Sequence, residues 1–489
     1  MMRYLIGIDI GTSGTKTVLF DENGNNVRQM TVEYPMSQPK NGWAEQDPED
    51  WYNAVLKTLK YVSEGVDNIS GIGFSGQMHG LVMLDEDGNV IRPSIIWCDQ
   101  RTGKECDEIT ALVGKERLVE ITANPALTGF TASKILWVRN NEPENYKKCK
   151  HILLPKDYIR YRLTGVFATD VSDASGMQLL DVPKRDWSDE VLEKLDIDKS
   201  LLARVYESCE VTGYVKGIGI LEGVPVVAGA GDNAAAAVGS GTVRSGKAFT
   251  TIGTSGVVYA HTDAPIIDKA GRVHTFCCAV PNKWHVMGVT QGAGLSLKWF
   301  RSNFAPELSY KEIDKIAEEV SIGADKLLYL PYLMGERTPH LDPDARGTFV
   351  GISAIHERKH FLRAVMEGVS YSLRDCLEVL YEMKIPVSEM LAVGGGGTSA
   401  LWRGMLCDLY NMPTKTIVAG EGACLGAAIL AGVGTGVYPS VEEACDKIIS
   451  YSEPQMPNAE NNAQYEKTYS VYRNVYNGLK ATFKALSEL

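Results

Sequence analysis

The stretch Ile10-Gly-Thr-Ser-Gly14 recurs letter for letter as Ile252-Gly-Thr-Ser-Gly256, and the two copies divide the chain of 489 residues nearly in half. Each copy lies between runs of β-branched and apolar residues, a composition that favours strands. The unit of strand, glycine-rich turn and strand therefore occurs twice. Because such a repeat indicates duplicated architecture, we expect two related domains, at residues 1–245 and 246–489, with the last helix packing back on the first domain.

Elsewhere the pattern alternates between strands and amphipathic helices. Helices are predicted over Asp47–Tyr61, where Asp47-Pro48 is typical of a helix start, over Phe361–Met383 and over Ala400–Tyr410. In the C-terminal tail, aromatic and leucine side chains recur every three or four residues from Tyr465 to Leu486. That spacing predicts a helix with one packed face. The alternation as a whole indicates the α/β class.

Composition excludes several classes of protein. The chain is 44% hydrophobic and 22% charged, as globular proteins are, and its formal net charge of −12 argues against a nucleic-acid binder, which needs a basic face. Ten cysteines without a Cys-x-x-Cys pair indicate reduced thiols and a cytoplasmic protein. Asp9 interrupts the apolar start too early for a signal peptide. The uncharged stretch Gly422–Val441 is rich in glycine, so we interpret it as a helix and a turn rather than a membrane span.

Three glycine-rich turns follow strands, at Gly11–Gly14, Gly253–Gly256 and Gly394–Gly397. Glycine lets successive backbone N–H groups approach an anion closely. Any one of these turns is explained equally well as an ordinary tight turn, but three of them, two duplicated, favour a clamp for nucleotide phosphates. Asp9, just before the first turn, is suited to hold Mg²⁺ through water, although a capping role is the simpler alternative.

Other segments carry side chains suited to catalysis. A buried strand and a glycine turn lead into Asp232, which is either the N-cap of the following helix or a general base that accepts a hydroxyl proton. His79 lies between small residues after a strand, where a structural histidine is the common alternative. The loop Gly335–His340 carries more functional groups than a connector needs.

With these residues in view, the chain resembles the FGGY carbohydrate kinases from Ile6 to the C-terminal helix. The resemblance is carried by the following motifs: Gly7-Ile-Asp-Ile-Gly-Thr-Ser-Gly14, Glu45-Gln-Asp-Pro48, Ser75-Gly-Gln-Met-His-Gly80, Gly129-Phe-Thr-Ala-Ser-Lys-Ile-Leu-Trp137, Leu154-Pro-Lys-Asp-Tyr158, Gly231-Asp-Asn233, Gly253-Thr-Ser-Gly256, Leu330-Pro-Tyr-Leu333, Gly335-Glu-Arg-Thr-Pro-His340 and Gly394-Gly-Gly-Gly397. It implies two ribonuclease-H-like domains of the actin and hexokinase type, with the active site in the cleft between them. The N-terminal domain is then the sugar-binding one and the C-terminal domain the nucleotide-binding one.

The resemblance also implies roles for individual residues. Asp232 is the catalytic base, and Asp9 positions phosphate and water-bound Mg²⁺, with Asp232 a further candidate ligand for the metal. The residues implied to contact the sugar are Gln77, Met78, His79, Asp232 and Asn233. Those implied to hold ATP are Gly11, Thr12, Ser13, Gly253, Thr254, Ser255, Gly395, Gly396 and Ser399. Asp99 and Arg101 are secondary sugar-site candidates, because Trp97-Cys98-Asp99 departs from the Trp-Asn-Asp usual among similar kinases.

The implied reaction is ATP-dependent phosphorylation of a ketopentose, first of all D-xylulose, giving D-xylulose 5-phosphate and ADP. The Gln-Met-His-Gly motif is the feature that points to a ketose. A kinase of another ketose or polyol, such as ribulose, is the nearest alternative, and an actin-like ATPase without kinase activity is a more distant one. The expected partners are the sugar and ATP, with no nucleic acid and no membrane. The resemblance suggests a homodimer as the assembly.

Overall fold

The duplicated strand–turn–strand unit opens each half of the molecule. The computed structural model describes residues 2–418, 420 and 422–489. In the first half, β1 (Tyr4–Ile10) turns into β2 (Gly14–Asp21), and in the second half β16 (Gly246–Ile252) turns into β17 (Gly256–Thr262) in the same way. Both pairs are antiparallel and are joined by turns of three residues. The repeat in the sequence is therefore a repeat in the structure.

The other elements of the first half have the following bounds. Its strands are β3 (Asn26–Glu33), β4 (Glu45–Gln46), β5 (Ile69–Gly76), β6 (Val82–Leu84), β7 (Ser94–Ile95), β8 (His151–Leu153), β9 (Ala168–Asp170), β10 (Leu180–Asp181), β11 (Asp186–Trp187), β12 (Arg204–Tyr206), β13 (Val211–Tyr214), β14 (Pro225–Val227) and β15 (Ala230–Gly231). Its helices are α1 (Pro48–Ser63), α2 (Gly103–Val113), α3 (Lys115–Thr122), α4 (Thr131–Asn141), α5 (Pro143–Lys148), α6 (Pro155–Thr164), α7 (Val171–Ala174), α8 (Asp189–Leu195) and α9 (Asp232–Gly239).

The second half continues in the same style. Its remaining strands are β18 (His274–Cys277), β19 (Trp284–Thr290), β20 (Leu328–Leu330), β21 (Thr348–Val350), β22 (Val387–Val393) and β23 (Thr414–Lys415). Its helices are α10 (Ala293–Phe304), α11 (Tyr310–Glu318), α12 (Arg358–Glu382), α13 (Gly394–Gly397), α14 (Ala400–Tyr410), α15 (Gly422–Gly434), α16 (Val441–Ile448) and α17 (Ala459–Ser487). The helices predicted over Phe361–Met383 and Ala400–Tyr410 are thus present as α12 and α14.

The two main sheets have the same strand plan. The first has the order β13-β14-β5-β1-β2-β3, and β15 also pairs with β5; the second has the order β18-β19-β17-β16-β22-β23. In each sheet, three adjacent strands are antiparallel: β1, β2 and β3 in the first sheet, and β16, β17 and β19 in the second. On the other side of β1 and of β16 the neighbouring strands are parallel, beginning with β5 and β22 respectively. Two five-strand units of this order form the duplicated ribonuclease-H-like plan expected from the sequence.

Strand register in the first sheet brings distant residues together. Asp9 of β1 lies beside Ser75 of β5, and Gly76 of β5 lies beside Gly231 of β15. All three strands run in parallel, so their carboxyl ends meet at one edge of the sheet, where ligands bind in open α/β sheets. The residues that follow these ends therefore gather at this edge of the sheet.

The end of the chain packs differently from the prediction. The last helix, α17, was expected on the first domain but lies on α12 and α14 of the second half, and its buried tyrosines join the core there. Instead, α15 and α16 cover the first sheet, and α15 packs directly on β1, β5 and α9. The reason is steric: Gly7 and Gly73 lack side chains where carbonyl groups of α15 touch the sheet. The domain boundary at residues 245 and 246 stays a prediction.

Two further features concern thiols and membranes. All ten cysteines lie in the described parts of the chain, and no disulfide bond joins any of them. Within the described parts of the chain, no helix is both long enough and apolar enough to cross a bilayer. The uncharged stretch beginning at Gly422 forms α15, followed by a turn, as predicted.

Candidate active site

The first glycine turn is held from behind by a set of polar side chains. Within the turn, Gly11 N–H donates to the carbonyl of Gly14 over 3.0 Å. Gln46 Nε2 donates to the Thr12 carbonyl over 2.7 Å, and Gln77 Nε2 donates to Gln46 Oε1 over 2.8 Å. Gln77 is only 2% exposed. The structure therefore gives Gln77, predicted as a sugar ligand, a supporting position behind the turn.

Trp97 reaches the same turn from the outside. Its indole Nε1 donates to Thr12 Oγ1 over 2.9 Å, and its side chain is 46% exposed. A tryptophan that exposes this much apolar surface beside a glycine turn is available to a ligand. The sequence gives no site role to Trp97, which appears there only as part of the motif that departs at Cys98.

Asp9, near the carboxyl end of β1, and Asp232, which follows the end of β15, lie close enough for their charges to interact. Asp9 accepts a hydrogen bond from Ser75 Oγ over 2.7 Å, and burial raises its pKa above the ordinary value. Burial, and secondly the negative charge of Asp9, raises the pKa of Asp232 to about 6. Two carboxylates that disfavour each other's charge form a site that favours a proton or a cation.

The backbone explains why one oxygen of Asp232 remains available. The N-cap of α9 is Gly231, so Asp232 is the first residue of the helix and not its cap, contrary to the capping alternative. Its Oδ1 accepts hydrogen bonds from the backbone N–H and the side-chain Nδ2 of Asn233, over 2.6 and 2.9 Å. Those bonds orient the carboxylate through Oδ1 and leave its second oxygen, Oδ2, outside them.

Met78 and His79 follow the end of β5. His79 has a φ of 70°, in the left-handed region that non-glycine residues adopt mainly where the surroundings impose it. Its Nδ1 lies 2.8 Å from the Gly176 carbonyl, which only accepts, so Nδ1 carries the proton and Nε2 is an acceptor. Met78 packs against Gly231, where an added Cβ would lie 2.9 Å from the methionine Sδ.

Two basic side chains, Lys134 and Arg337, lie near His79. Lys134 Nζ donates to the His79 carbonyl over 2.8 Å, and Arg337 approaches from the second half of the chain. Burial, together with these two cations, lowers the pKa of His79 to about 3. The imidazole is therefore neutral at physiological pH, with Nδ1 as a donor and Nε2 as an acceptor.

Arg337 belongs to the polar loop that stood out in the sequence, although we did not name it as a site residue. Its guanidinium donates to His274 Nε2 over 3.3 Å, and His274 Nδ1 lies 2.7 Å from Asn124 Oδ1. The backbone N–H of Arg337 donates to the buried Glu336 carboxylate over 2.7 Å. Burial raises the pKa of Glu336 to about 7. The relay joins both halves of the chain beside His79.

The second and third glycine turns lie together in the second half. Parallel pairing of β16 with β22 sets Thr251 beside Val393, so both turns leave the same sheet edge. Gly396 packs on Ile252 so closely that a Cβ there would overlap it. The exposed residues in these turns are Gly253, Thr254, Ser255, Gly394 and Gly395. Ser399 caps α14, since its Oγ accepts from Trp402 N–H over 3.1 Å, and its predicted contact with ATP stays a prediction.

Asp99 and Arg101 lie away from any open surface. Asp99 accepts from the Arg101 guanidinium over 2.7 Å and from Ala44 N–H over 2.6 Å. Arg101 also donates to Glu45 and stacks on Trp43, with its guanidinium carbon 3.7 Å from the ring centre. Both side chains are buried. The structure thus shows a structural ion pair at the position considered for sugar recognition.

The two sheets of the same strand plan, with glycine-rich turns at their strand ends, are those of the actin and hexokinase fold, to which two-domain sugar kinases belong. The family model described as "FGGY family of carbohydrate kinases, N-terminal domain" matches residues 4–239, and the model of the C-terminal domain matches residues 248–435. The chain belongs to the FGGY family of carbohydrate kinases. It is therefore a sugar kinase, for which ATP is the co-substrate.

Individual relatives are similar over nearly their whole length. The xylulose kinase of Bacillus subtilis is 40% identical, covering 99% of both chains, and that of Lactococcus lactis is 42% identical, covering 97% of both. A crystal structure described as that of a "xyloylose kinase from Brucella ovis" is 34% identical, has a TM-score of 0.93 and covers 98% of this chain and 100% of its own.

Proposed function

We propose that this kinase transfers the γ-phosphoryl group of ATP to D-xylulose, forming D-xylulose 5-phosphate and ADP, with Asp232 as the general base. The observation that carries the proposal is the Asp232 carboxylate, which has one oxygen held by Asn233 and the other available. Full-length similarity to xylulose kinases at 40 and 42% identity supports the sugar.

The chemistry follows from the position of that carboxylate. As the sugar hydroxyl oxygen attacks the γ-phosphorus, the new O–P bond forms and the bond to the bridging oxygen of ADP breaks. The hydroxyl proton passes to Asp232 Oδ2. A pKa of about 6 suits this role, because the carboxylate is ionised near neutral pH and still basic enough to accept a proton.

The same proposal assigns the remaining groups. His79 Nε2 accepts a hydrogen bond from a sugar hydroxyl, and the Arg337 guanidinium donates to the sugar's oxygens. The exposed backbone of the three glycine turns binds the nucleotide phosphates. Asp9 would hold Mg²⁺ through water, since the ion binds through one or two carboxylates together with water and phosphate. Asp232 is the less suited ligand, because Asn233 takes its Oδ1 and the proposed proton transfer takes its Oδ2. When bound, the ion supplies positive charge that offsets the charge on the phosphates.

The base assignment is tested with Asp232→Asn. Asparagine keeps the size and the acceptor oxygen but not the basicity, so we expect kcat to fall by about 10² to 10⁴ with little change in KM. The control is Asp67→Asn, an exposed carboxylate near the opposite end of β5, which should behave as wild type. Near-normal turnover by Asp232→Asn would show that the base lies elsewhere.

The sugar is tested with a substrate panel read by coupled ADP release. D-xylulose, D-ribulose, glycerol and gluconate present a ketopentose, its epimer, a polyol and an acid. We expect the highest kcat/KM with D-xylulose. With that sugar, kcat/KM should fall as the pH drops through about 6, because protonated Asp232 no longer accepts the hydroxyl proton. A higher kcat/KM with another member of the panel would show that D-xylulose is not the preferred substrate, but it would not contradict the role of Asp232 as general base.

A further inference from the structure

The segment immediately before Asp232 is tied to a hydroxyl that the proposed reaction does not use. The backbone N–H of Gly231 donates to Ser172 Oγ over 3.1 Å. Ser172 in turn donates from its Oγ to Asp170 Oδ2 over 2.5 Å, and from its backbone N–H to the same oxygen over 2.8 Å. All of these groups are buried. The peptide that carries Asp232 is thus fixed through Ser172 to Asp170.

Asp170 is part of a fully buried set of charges. Lys156 Nζ lies 2.7 Å from Asp170 Oδ1, 2.6 Å from Asp157 Oδ1 and 3.3 Å from Asp173 Oδ2. Arg160 lies 3.1 Å from Asp157. None of the five side chains is exposed. Because separating buried charges from their partners is very costly, this cluster is a rigid anchor.

The anchor contacts both segments that carry site residues. Lys156 packs behind Gly76, where an added Cβ would lie 2.9 Å from the lysine Cβ, and Gly76 ends the strand leading to Met78 and His79. On the other side, Arg160 donates to the carbonyl of Ala228, at the start of the segment leading to Asp232, over 2.6 Å. The two segments are therefore held relative to one another by a single buried structure.

We propose that Ser172 is a positioning residue for the phosphoryl transfer: its Oγ holds the Gly231 peptide and thereby sets the direction of the Asp232 carboxylate. The proposal rests on the proposed role of Asp232. Without the hydroxyl, the buried Gly231 N–H loses its acceptor and the segment shifts to find another. A displacement of about 1 Å in a catalytic group lowers turnover by about 10²-fold.

The test compares Ser172→Ala with Ser208→Ala. Ser208 Oγ donates to the same Asp170 Oδ2, over 2.8 Å, and is equally buried, so its removal costs the anchor a similar hydrogen bond without touching the Gly231 N–H. We expect Ser172→Ala to lower kcat by about 10- to 100-fold while KM for sugar and for ATP stays within about threefold. Ser208→Ala should stay within about twofold of wild type in kcat.

If Ser172 only supports the fold, Ser172→Ala and Ser208→Ala should lower the melting temperature by similar amounts and should both have small kinetic effects. That result would overturn the proposal. If Ser172→Ala does not fold, Ser172→Cys keeps a weaker acceptor of similar size. An intermediate kcat with unchanged KM then supports the proposal, and wild-type kcat overturns it. Asp232→Asn distinguishes failure of this proposal from failure of the proposed function. If Asp232→Asn is inactive while Ser172→Ala and Ser208→Ala have the same kcat, the role of Asp232 as base stands and only the role of Ser172 is refuted.

Discussion

Several buried histidines are kept uncharged by their burial, and His285 is the clearest case. It lies on β19, is 1% exposed and stacks on Tyr259 with ring centres 4.4 Å apart. Neither of its ring nitrogens has a hydrogen-bond partner among the described residues. Burial lowers its pKa to about 3. A buried polar ring without partners is destabilising, so an apolar ring at this position should stabilise the protein.

We predict that His285→Phe stabilises the protein. A phenyl ring keeps the stacking and removes the unsatisfied nitrogens, which should raise the free energy of unfolding by about 1 kcal/mol at pH 7.5. The depressed pKa gives the sign of the pH effect: the unfolded imidazole takes up a proton below about pH 6.5 and the folded one does not, so wild type loses stability as pH falls.

Urea denaturation at pH 7.5 and 5.0 measures both effects. Between these values His285 should cost wild type up to about 2 kcal/mol that the phenylalanine variant does not lose. Equal losses in the two proteins would mean that the ring is charged or solvated in the folded state.

Among the elements, the contact between α9 and α15 depends on glycine. A Cβ on Gly426 would overlap the carbonyl of Ala235, and a Cβ on Gly239 would overlap the carbonyl of Gly422. The two helix backbones therefore touch, and no side chain separates them. This contact attaches α15, from the second half of the sequence, to the helix that begins with Asp232.

We predict that Gly426→Val is strongly destabilising, by about 3 kcal/mol or more, because the clash is with backbone, which moves less easily than a side chain. Gly478→Ala is the matched control: Gly478 lies on the exposed face of α17 with open space at the Cβ position, and alanine should add about 0.5–1 kcal/mol. Thermal unfolding of both variants distinguishes packing from helix propensity. Similar melting temperatures would refute the close contact.

At the scale of the whole molecule, the two halves of the sequence are not two independent cores. One hydrophobic cluster joins Leu5 and Val238 of the first half to Leu425, Ile429 and Val441 of the second. Removing this surface from water is worth about 25 cal/mol per Å² of apolar area. Separating the chain at the predicted boundary would expose it on both pieces.

We therefore predict that residues 1–245 and 246–489, expressed separately, do not unfold cooperatively, and that co-expression restores sugar-dependent ADP release. The matched control joins residues 422–451 to residues 1–245 through a flexible linker, which should restore a cooperative transition by covering the first sheet. Circular dichroism during heating provides the measurement. A sharp transition for residues 1–245 alone would contradict the shared core.

Much of the fold could be predicted because its signals are local. The Ile-Gly-Thr-Ser-Gly repeat marked both hairpins, and periodicity marked α12 and α14 close to their bounds. The site was predictable only as a set of candidates. Gln77 and Ser399 carry suitable side chains, yet one supports a turn and the other caps a helix. Which partner a polar group takes depends on chain segments far away in sequence.

By itself, the sequence determined the class of fold, the duplication and the identity of the residues at the strand ends, because turn chemistry and hydrophobic periodicity act over a few residues. Only the tertiary structure decided that α15 covers the first sheet while α17 stays on the second, that Asp99 and Arg101 are buried, and that Asp9 meets Asp232. Those outcomes depend on which surfaces bury each other, a sum over the whole chain that no short stretch of sequence contains.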